Sequence, residues 1–302
     1  MTDLTDFQRK ISSVLPHIQM RFQEPLSAHT SFRIGGPAEV MAFPEDAAQL
    51  GQLLEQSALL DATTAILGAG TNILAPDAGI PGLVICLKEL SKIKQLDETH
   101  IQADAGVTMT RLAVFAAGLG LSGLEFAHGI PGSVGGGVYM NAGAYGGEIK
   151  DVCNSVQVLT ADGCLQTYSA DEMDFSYRHS RLEEERGIVV SAVFELTAKD
   201  PEDIRARMQE LAAKRKASQP LDKPSAGSAF KRPVGGYAAA LIEQAGLKGY
   251  QVGGAAVSDK HSGFVVNLGG ATAQEVKDLL KQVSDRVFAQ TGIRLEPEVR
   301  IW

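Results

Sequence analysis

The chain has 302 residues, 44% apolar and 21% charged, which is enough for a sizeable core in two or three domains and carries no disorder signature. Its formal charge of −8 argues against a polyanion such as nucleic acid as the main partner, while leaving room for a small phosphorylated ligand at a local basic patch. No apolar stretch reaches the length of a membrane span, and the N-terminal segment carries Asp3 and Asp6, unlike a signal peptide. Cys86, Cys153 and Cys164 lack C-x-x-C spacing and read as reduced, structural thiols of a cytoplasmic protein with no membrane association.

Residues 5–15 suit a short helix, after which the chain passes Pro25 into Ser31-Phe-Arg-Ile-Gly-Gly-Pro37. A helix is expected across Pro44 to Ser57, with Pro44, Glu45 and Asp46 in its first turn and Leu50, Leu53 and Leu54 on one face. Thr64 to Leu67 is a short apolar run that stops at Gly68-Ala-Gly-Thr-Asn72, a strand followed by a glycine turn that offers backbone N–H groups to a phosphate. Residues 82–87 read as a strand, and Thr108 to Ala117 as a helix with Leu112, Phe115 and Ala116 inward. Ser155 to Thr160 and Leu165 to Ser169 alternate around Asp162-Gly163, a hairpin signal.

A longer strand, Gly187 to Leu196, precedes a charged helix from Pro201 to Ala217 that ends in Lys214-Arg215-Lys216, where cations suit a helix C-terminus. Gln219 to Pro224, with two prolines, is the best domain boundary. A helix near Gly236–Ala245, a strand near Gly263–Leu268, a helix from Thr272 to Gln290 and a last strand reaching Arg300 complete the chain. Strands and helices interleave without a regular βαβ rhythm, so the expected class is α+β with several lobes.

Gly129 to Gly147 holds eight glycines in nineteen residues and no charge. Glycine loses the most conformational entropy on folding, so this density is disfavoured unless the backbone turns tightly or lies close to something. A flexible linker would interpose Ser, Lys or Glu. Here Ile130, Val134, Val138, Tyr139, Met140 and Tyr145 intervene and are expected in a packed interior, which favours a ligand-wrapping backbone over a purely structural cluster. The Gly68–Leu74 loop alone is a weaker signal, with Ile73 at the third fingerprint glycine and no Walker lysine. Together, two uncharged loops rich in N–H groups can hold a pyrophosphate.

Ser228-x-x-Lys231 is also the first element of penicillin-recognising serine enzymes, but their S-D-N and K-T-G elements are missing. Tyr177-Arg178-His179-Ser180 and Leu295 to Arg300 would each pass as surface polar sequence. His128, His179 and His261 show no metal-ligand spacing, so no metal is assigned.

Taken in order, these segments resemble one family, the UDP-N-acetylenolpyruvoylglucosamine reductases. The matching pieces are Thr30–Ala38, Leu67–Leu74, Gly123–Ala127 leading into Gly129–Gly147, Tyr177–Ser180, Ala226–Lys231, Ala240–Gly249, Lys260–Asn267 and Glu298–Arg300. The resemblance covers roughly residues 20 to 301, and the short stretch between Arg178 and Ser228 is similar to the branch without an inserted tyrosine-bearing loop.

The resemblance implies a two-lobed FAD-binding region of the vanillyl-alcohol-oxidase-like type over residues 1–218, with lobes of about 1–80 and 81–218, and a substrate-binding α+β domain over 219–302. FAD would be held by Gly68, Ala69, Gly70, Thr71, Asn72, Pro131, Gly132, Ser133 and Gly136. NADPH would reduce the flavin, which would pass hydride to C3 of the enolpyruvyl group, with a proton added at C2 to give UDP-N-acetylmuramate, a peptidoglycan precursor. Arg178 and Glu298 match the residues that meet the enolate-like charge at the substrate carboxylate, and Ser228 the proton donor. Lys216, Lys231 and Tyr145 are the expected substrate contacts, beside Lys214 and Arg215, in a monomer. Two other readings stay open: a flavin oxidase with a different substrate, which would not need Ser228, and a non-catalytic UDP-sugar-binding regulator, which would not need the Arg178, Ser228, Glu298 set.

Overall fold

The computed structural model describes residues 4–302; residues 1–3, and with them Asp3 of the acid-bearing N-terminal segment, lie outside the described residues. Helices form where the sequence supplies both a cap and an apolar face. Helix α1 (Asp6–Val14) opens on a capping box between Thr5 and Gln8. Helix α2 (Ala47–Leu59) opens one residue after Asp46, whose carboxylate accepts from Gln49 N at 2.8 Å. Pro44 and Glu45 therefore precede the helix and are not its first turn, because the strongest N-cap residue in the segment sets the start. Leu50 and Leu53 are fully buried on its inner face. Thr108 caps α3 (Met109–Gly118), which buries Leu112 and Ala116 and leaves Phe115 only partly covered. The other helices are α4 (Val134–Tyr139), α5 (Leu182–Glu185), α6 (Pro201–Ser218), α7 (Ala238–Gln244) and α8 (Ala273–Thr291). Among the described residues no helix is long and apolar enough to cross a membrane.

The mixture is α+β, and the chain divides into two compact units, each drawing on separated stretches of sequence. Unit 1 takes Met1–Phe22, Glu39–Ala69 and Pro81–Lys214. A four-stranded sheet lying mostly in it runs Gln19–Pro25, Pro37–Phe43, Ile80–Cys86, Thr64–Leu67, the last two parallel. Its second sheet is antiparallel, in the order Leu165–Ser169, Cys153–Leu159, Ile188–Glu195, His100–Asp104, Ile93–Gln95. The expected hairpin is its edge: Ser155 pairs with Ser169 and Leu159 with Leu165 around a turn whose Gly163 has φ +80°. The two strands at the far edge, 93–95 and 100–104, are too short and too polar to be singled out from sequence, yet Ile101 and Ala103 are fully buried. One core cluster, from Ile11 through Leu50, Leu112, Val134, Val156 and Phe194, fills this unit.

Unit 2 takes Gln23–Ala38, Gly70–Ile80 and Arg215–Trp302. Its antiparallel sheet runs Ser225–Ser228, Phe264–Asn267, Ala255–Val257, Gln251–Val252. Phe32, Ile34 and Leu74, from the early segments, share its core with Val265, Leu279, Val283 and Val299. Cys86 and Cys153 are buried and Cys164 is exposed in the hairpin turn; burial pushes the Cys153 thiol up to about 12.

Helix α8 shows how the separated stretches of unit 2 are joined. Three of its first N–H groups find side-chain acceptors: Asp77 takes Ala273 N at 2.8 Å and Gln274 N at 3.2 Å, and Thr272 takes Glu275 N at 3.1 Å. The carboxylate also lies at the positive end of the helix dipole. Replacing Asp77 by Ala should lower stability by about 1–2 kcal/mol, read as a lower thermal midpoint, whereas Asp77→Asn, which keeps an acceptor, should lose less than half of that.

Candidate active site

Unit 1 holds the glycine run. Residues 132–135 are stitched to the chain that leaves strand His100–Asp104: Met109 N donates to Gly132 O (3.0 Å), Val134 N to Val107 O (2.7 Å) and Gly135 N to Ala105 O (2.8 Å). Ser133, buried, caps α4 and accepts from Gly136 N at 3.4 Å. A Cβ on Gly135 would lie 2.9 Å from that of Ala105, on Gly137 2.9 Å from Met109 Sδ, and on Gly147 2.7 Å from the Phe126 ring. These glycines let the protein approach itself. Pro131 and Gly136 are exposed, and Gly132 has φ +153°, so this end of the run is where the backbone faces outward.

Val134 and Val138 are fully buried, as composition suggested, but Tyr145 is 42% exposed. It is expected in a packed interior and is instead the first central residue of a hairpin turn between Gly143–Ala144 and Gly147–Glu148. Tyr145 and Gly146 have φ +55° and +89°. Two positive φ values define the tight turn that follows strand twist, and a tyrosine there is outside its ordinary range.

The strand Thr64–Leu67 ends at Gly68, still in unit 1, where a Cβ would lie 2.6 Å from Ser133 Oγ and 4.0 Å from Gly136 N. Gly68 thus lies beside the start of α4. In unit 2, Gly70 has φ +63° and a Cβ would stand 2.0 Å from the His29 carbonyl oxygen, so no other residue fits. Its own carbonyl accepts from Ser31 N at 3.0 Å. Asn72 O accepts from Arg300 N at 2.9 Å, and Asn72 Nδ2 donates to Glu298 O at 3.2 Å. Asn72 Oδ1 is buried and has no hydrogen-bond donor among the described residues. The N–H groups of Ala69, Gly70, Thr71 and Asn72 likewise make no backbone hydrogen bond among the described residues.

Ser228 and Glu298 come together in unit 2. Ser228, exposed, ends the first strand of the C-terminal sheet opposite Phe264, after a register shift at Gly227 (φ +78°). The next residue is bonded on both sides: Ala229 N donates to Gly263 O (2.8 Å) and Ala229 O accepts from Glu298 N (2.9 Å). Phe230 bridges Pro297, and Lys231 N donates to Glu296 O at 2.9 Å. Segment 228–231 therefore runs against 296–298, which in turn leads into Arg300–Ile301, parallel to Ile73–Leu74. Beside it His261 Nδ1 accepts from Gly263 N at 3.1 Å, and burial holds the imidazole below its ordinary range.

One of the expected basic contacts is engaged by the protein itself. Lys231 Nζ is paired with Glu296 Oε1 at 2.5 Å. Lys216 is exposed at the C-terminus of α6, and its carbonyl accepts from Lys260 Nζ at 2.6 Å.

Arg178 lies in unit 1, in a two-residue turn closed by Ser176 and His179, which exchange hydrogen bonds of 3.2 Å. It has φ +58°. Two residues that sequence reasoning missed fasten this turn: Asn141 donates to Ser176 O at 3.1 Å, and Ser180 Oγ to Tyr139 O at 2.8 Å. The available signal was that Asn141 carries the only amide side chain inside the glycine run.

Comparison with known proteins was made on the sequence and on the fold. A family model described as the C-terminal domain of UDP-N-acetylenolpyruvoylglucosamine reductase matches residues 219–302, and an FAD binding domain model matches residues 38–169. UDP-N-acetylenolpyruvoylglucosamine reductase of Agathobacter rectalis is 50% identical over 307 aligned positions, covering 98% of each chain. The protein of the same description from Pediococcus pentosaceus is 44% identical over 97% of each. The crystal structure of the Thermus caldophilus reductase superposes with a TM-score of 0.80 at 37% identity, covering 94% of this chain and 98% of that one. With both domain models matched in order and relatives aligned over nearly the whole length, the chain belongs to the UDP-N-acetylenolpyruvoylglucosamine reductase family.

Proposed function

We propose that the chain reduces UDP-N-acetylenolpyruvoylglucosamine to UDP-N-acetylmuramate with electrons from NADPH, through bound FAD, as a cytoplasmic monomer in peptidoglycan precursor synthesis. The observation that carries this reading is the ladder in unit 2 that sets Asn72, Ser228 and Glu298 on adjoining backbone. Residues 1–218 serve the cofactor on this reading, as two lobes of about 1–80 and 81–218, and residues 219–302 serve the substrate.

The residues fit an anionic cofactor. A run of uncharged backbone donors at 69–72, a buried acceptor without a donor at Asn72 Oδ1, and the open Pro131–Gly136 end of the glycine run suit the pyrophosphate and polar edges of FAD. On this reading Gly68, Ala69, Gly70, Thr71, Asn72, Pro131, Gly132, Ser133 and Gly136 hold it. When bound, FAD supplies the hydride, taken from NADPH and given to C3 of the enolpyruvyl group.

Addition at C3 pushes negative charge toward C2 and the neighbouring carboxylate. Arg178 is the fixed cation for that charge, and preorganised donors of this kind act without reorganising during the reaction. Glu298 serves there as a further donor in its neutral form. Ser228, exposed at a strand end, delivers the proton to C2; a weak acid suffices for a strongly basic acceptor. Tyr145, Lys216 and Lys231 meet the UDP-sugar, Lys231 by exchanging Glu296 for phosphate oxygens.

Ser228→Ala should leave NADPH bleaching of the flavin near the normal rate while slowing reoxidation by the enolpyruvyl sugar about 10²–10⁴-fold in stopped flow. Equal slowing of both half-reactions would show that Ser228 shapes the site and is not the acid. A second expectation concerns the cofactor. Gly68→Ala places a methyl 2.6 Å from Ser133 Oγ and should yield protein depleted in flavin absorbance. A wild-type preparation that is colourless and cannot be reconstituted with FAD would sink the whole reading.

A further inference from the structure

We propose that Asn141 is a positioning residue for Arg178, its side-chain amide tying the glycine run to the turn that carries the arginine. The inference rests on the reading of Arg178 as the cation for the substrate carboxylate.

The turn does not support itself well. Arg178 has φ +58°, a conformation that favours glycine or asparagine and is strained for other residues by about 1–3 kcal/mol. Tyr177 beside it is 56% exposed, and the two closing hydrogen bonds are long at 3.2 Å. Hold has to come from outside the turn. Asn141 supplies it from a position 2% exposed, itself at φ +41°, which asparagine tolerates. Its Nδ2 donates to Ser176 O at 3.1 Å and to Glu148 Oε2 at 2.7 Å, and its Oδ1 accepts from Lys150 N at 3.0 Å. One buried amide thus joins three segments with each of its polar atoms used.

The second tie is two residues beyond the arginine. Ser180, fully buried, donates to Tyr139 O at 2.8 Å. Ser176 and Ser180 bracket Arg178, and both are fastened to the three consecutive residues Tyr139 to Asn141. The glycine run therefore has a second task beyond the exposed Pro131–Gly136 end: its last helical turn is the base on which the guanidinium is aimed. A cation displaced by about 1 Å from developing charge forfeits on the order of 10²-fold in rate, so a residue that sets its position is worth nearly as much as the group itself.

Asn141→Asp tests this with almost no change of volume and with the same tolerance of positive φ. It replaces the donating NH2 by an oxygen facing the Ser176 carbonyl and the Glu148 carboxylate. The expected holoenzyme retains FAD and is reduced by NADPH within about twofold of wild type, while reoxidation by the enolpyruvyl UDP-sugar slows about 10- to 100-fold. The double variant Asn141→Asp, Arg178→Lys should be no slower than Arg178→Lys alone, because two changes acting through one group do not add. Multiplicative losses in the double variant, unchanged reoxidation in Asn141→Asp, or equal slowing of both half-reactions would each overturn the proposal. If Asn141→Asp yields no folded protein, Ser180→Ala cuts the other tie and must show the same selective slowing, or the proposal fails. Arg178→Lys with normal reoxidation would instead remove the reading of Arg178 on which the inference stands.

Discussion

Val299 separates two backbone positions that Asn72 holds at once: its carbonyl takes Arg300 N–H at 2.9 Å and its side-chain amide donates to Glu298 O at 3.2 Å. A terminal strand of two residues would otherwise fray, since so short a pairing gains little against the entropy of ordering it. Here it is held by Asn72 to Leu74, while segment 229–231 fastens the preceding residues 296–298. The same arrangement decides what the loop 70–72 has left over. Its carbonyls at Gly70 and Asn72 are consumed by Ser31 and Arg300, while its N–H groups have no backbone acceptor among the described residues. On the proposed reading the short run that holds Glu298 through the Asn72 side chain also offers its backbone N–H groups to an anion.

The glycine run shows the limit of arguing from composition. Density alone says only that the backbone approaches something closely. The structure divides that something: Gly135, Gly137 and Gly147 lie against the protein's own Ala105, Met109 and Phe126, while Pro131 and Gly136 remain exposed. Glycines of both kinds look alike in sequence, because the absent side chain carries no record of what replaced it.

Elements with a local cause were legible. The Asp162-Gly163 hairpin, the helix that starts after Thr272 and the strand ending at Gly68 each carry their cap or turn residue within a few positions. What was not legible depended on distant partners. Strand 100–104 is an inner strand of its sheet only because strands Ile188–Glu195 and Ile93–Gln95 pair with it, and its alternation spans five residues. Tyr145 was placed inside by its apolar neighbours, and a positive φ at the turn puts it outside. Of the candidate site, Gly68 to Asn72 stood out as a glycine turn after a strand, while Arg178, Ser228 and Glu298 were picked out through resemblance to a family. Asn141 and Ser180 were not singled out, since their meaning lies in carbonyls 35 and 41 residues away along the chain.

Charge balance completes the argument for a small anionic ligand in an acidic protein. At −8 the chain as a whole repels anions, so local donors must overcome the mean field. On the proposed reading, neutral N–H groups at 69–72 do so without opposing any charge. Lys231 would do so by exchange: the Glu296 side chain is 69% exposed and that of Lys231 40%, and an ion pair so open to solvent is worth roughly 0–1 kcal/mol. A diphosphate brings more charge and more acceptor oxygens than one carboxylate, so on the proposed reading it displaces Glu296 at small cost.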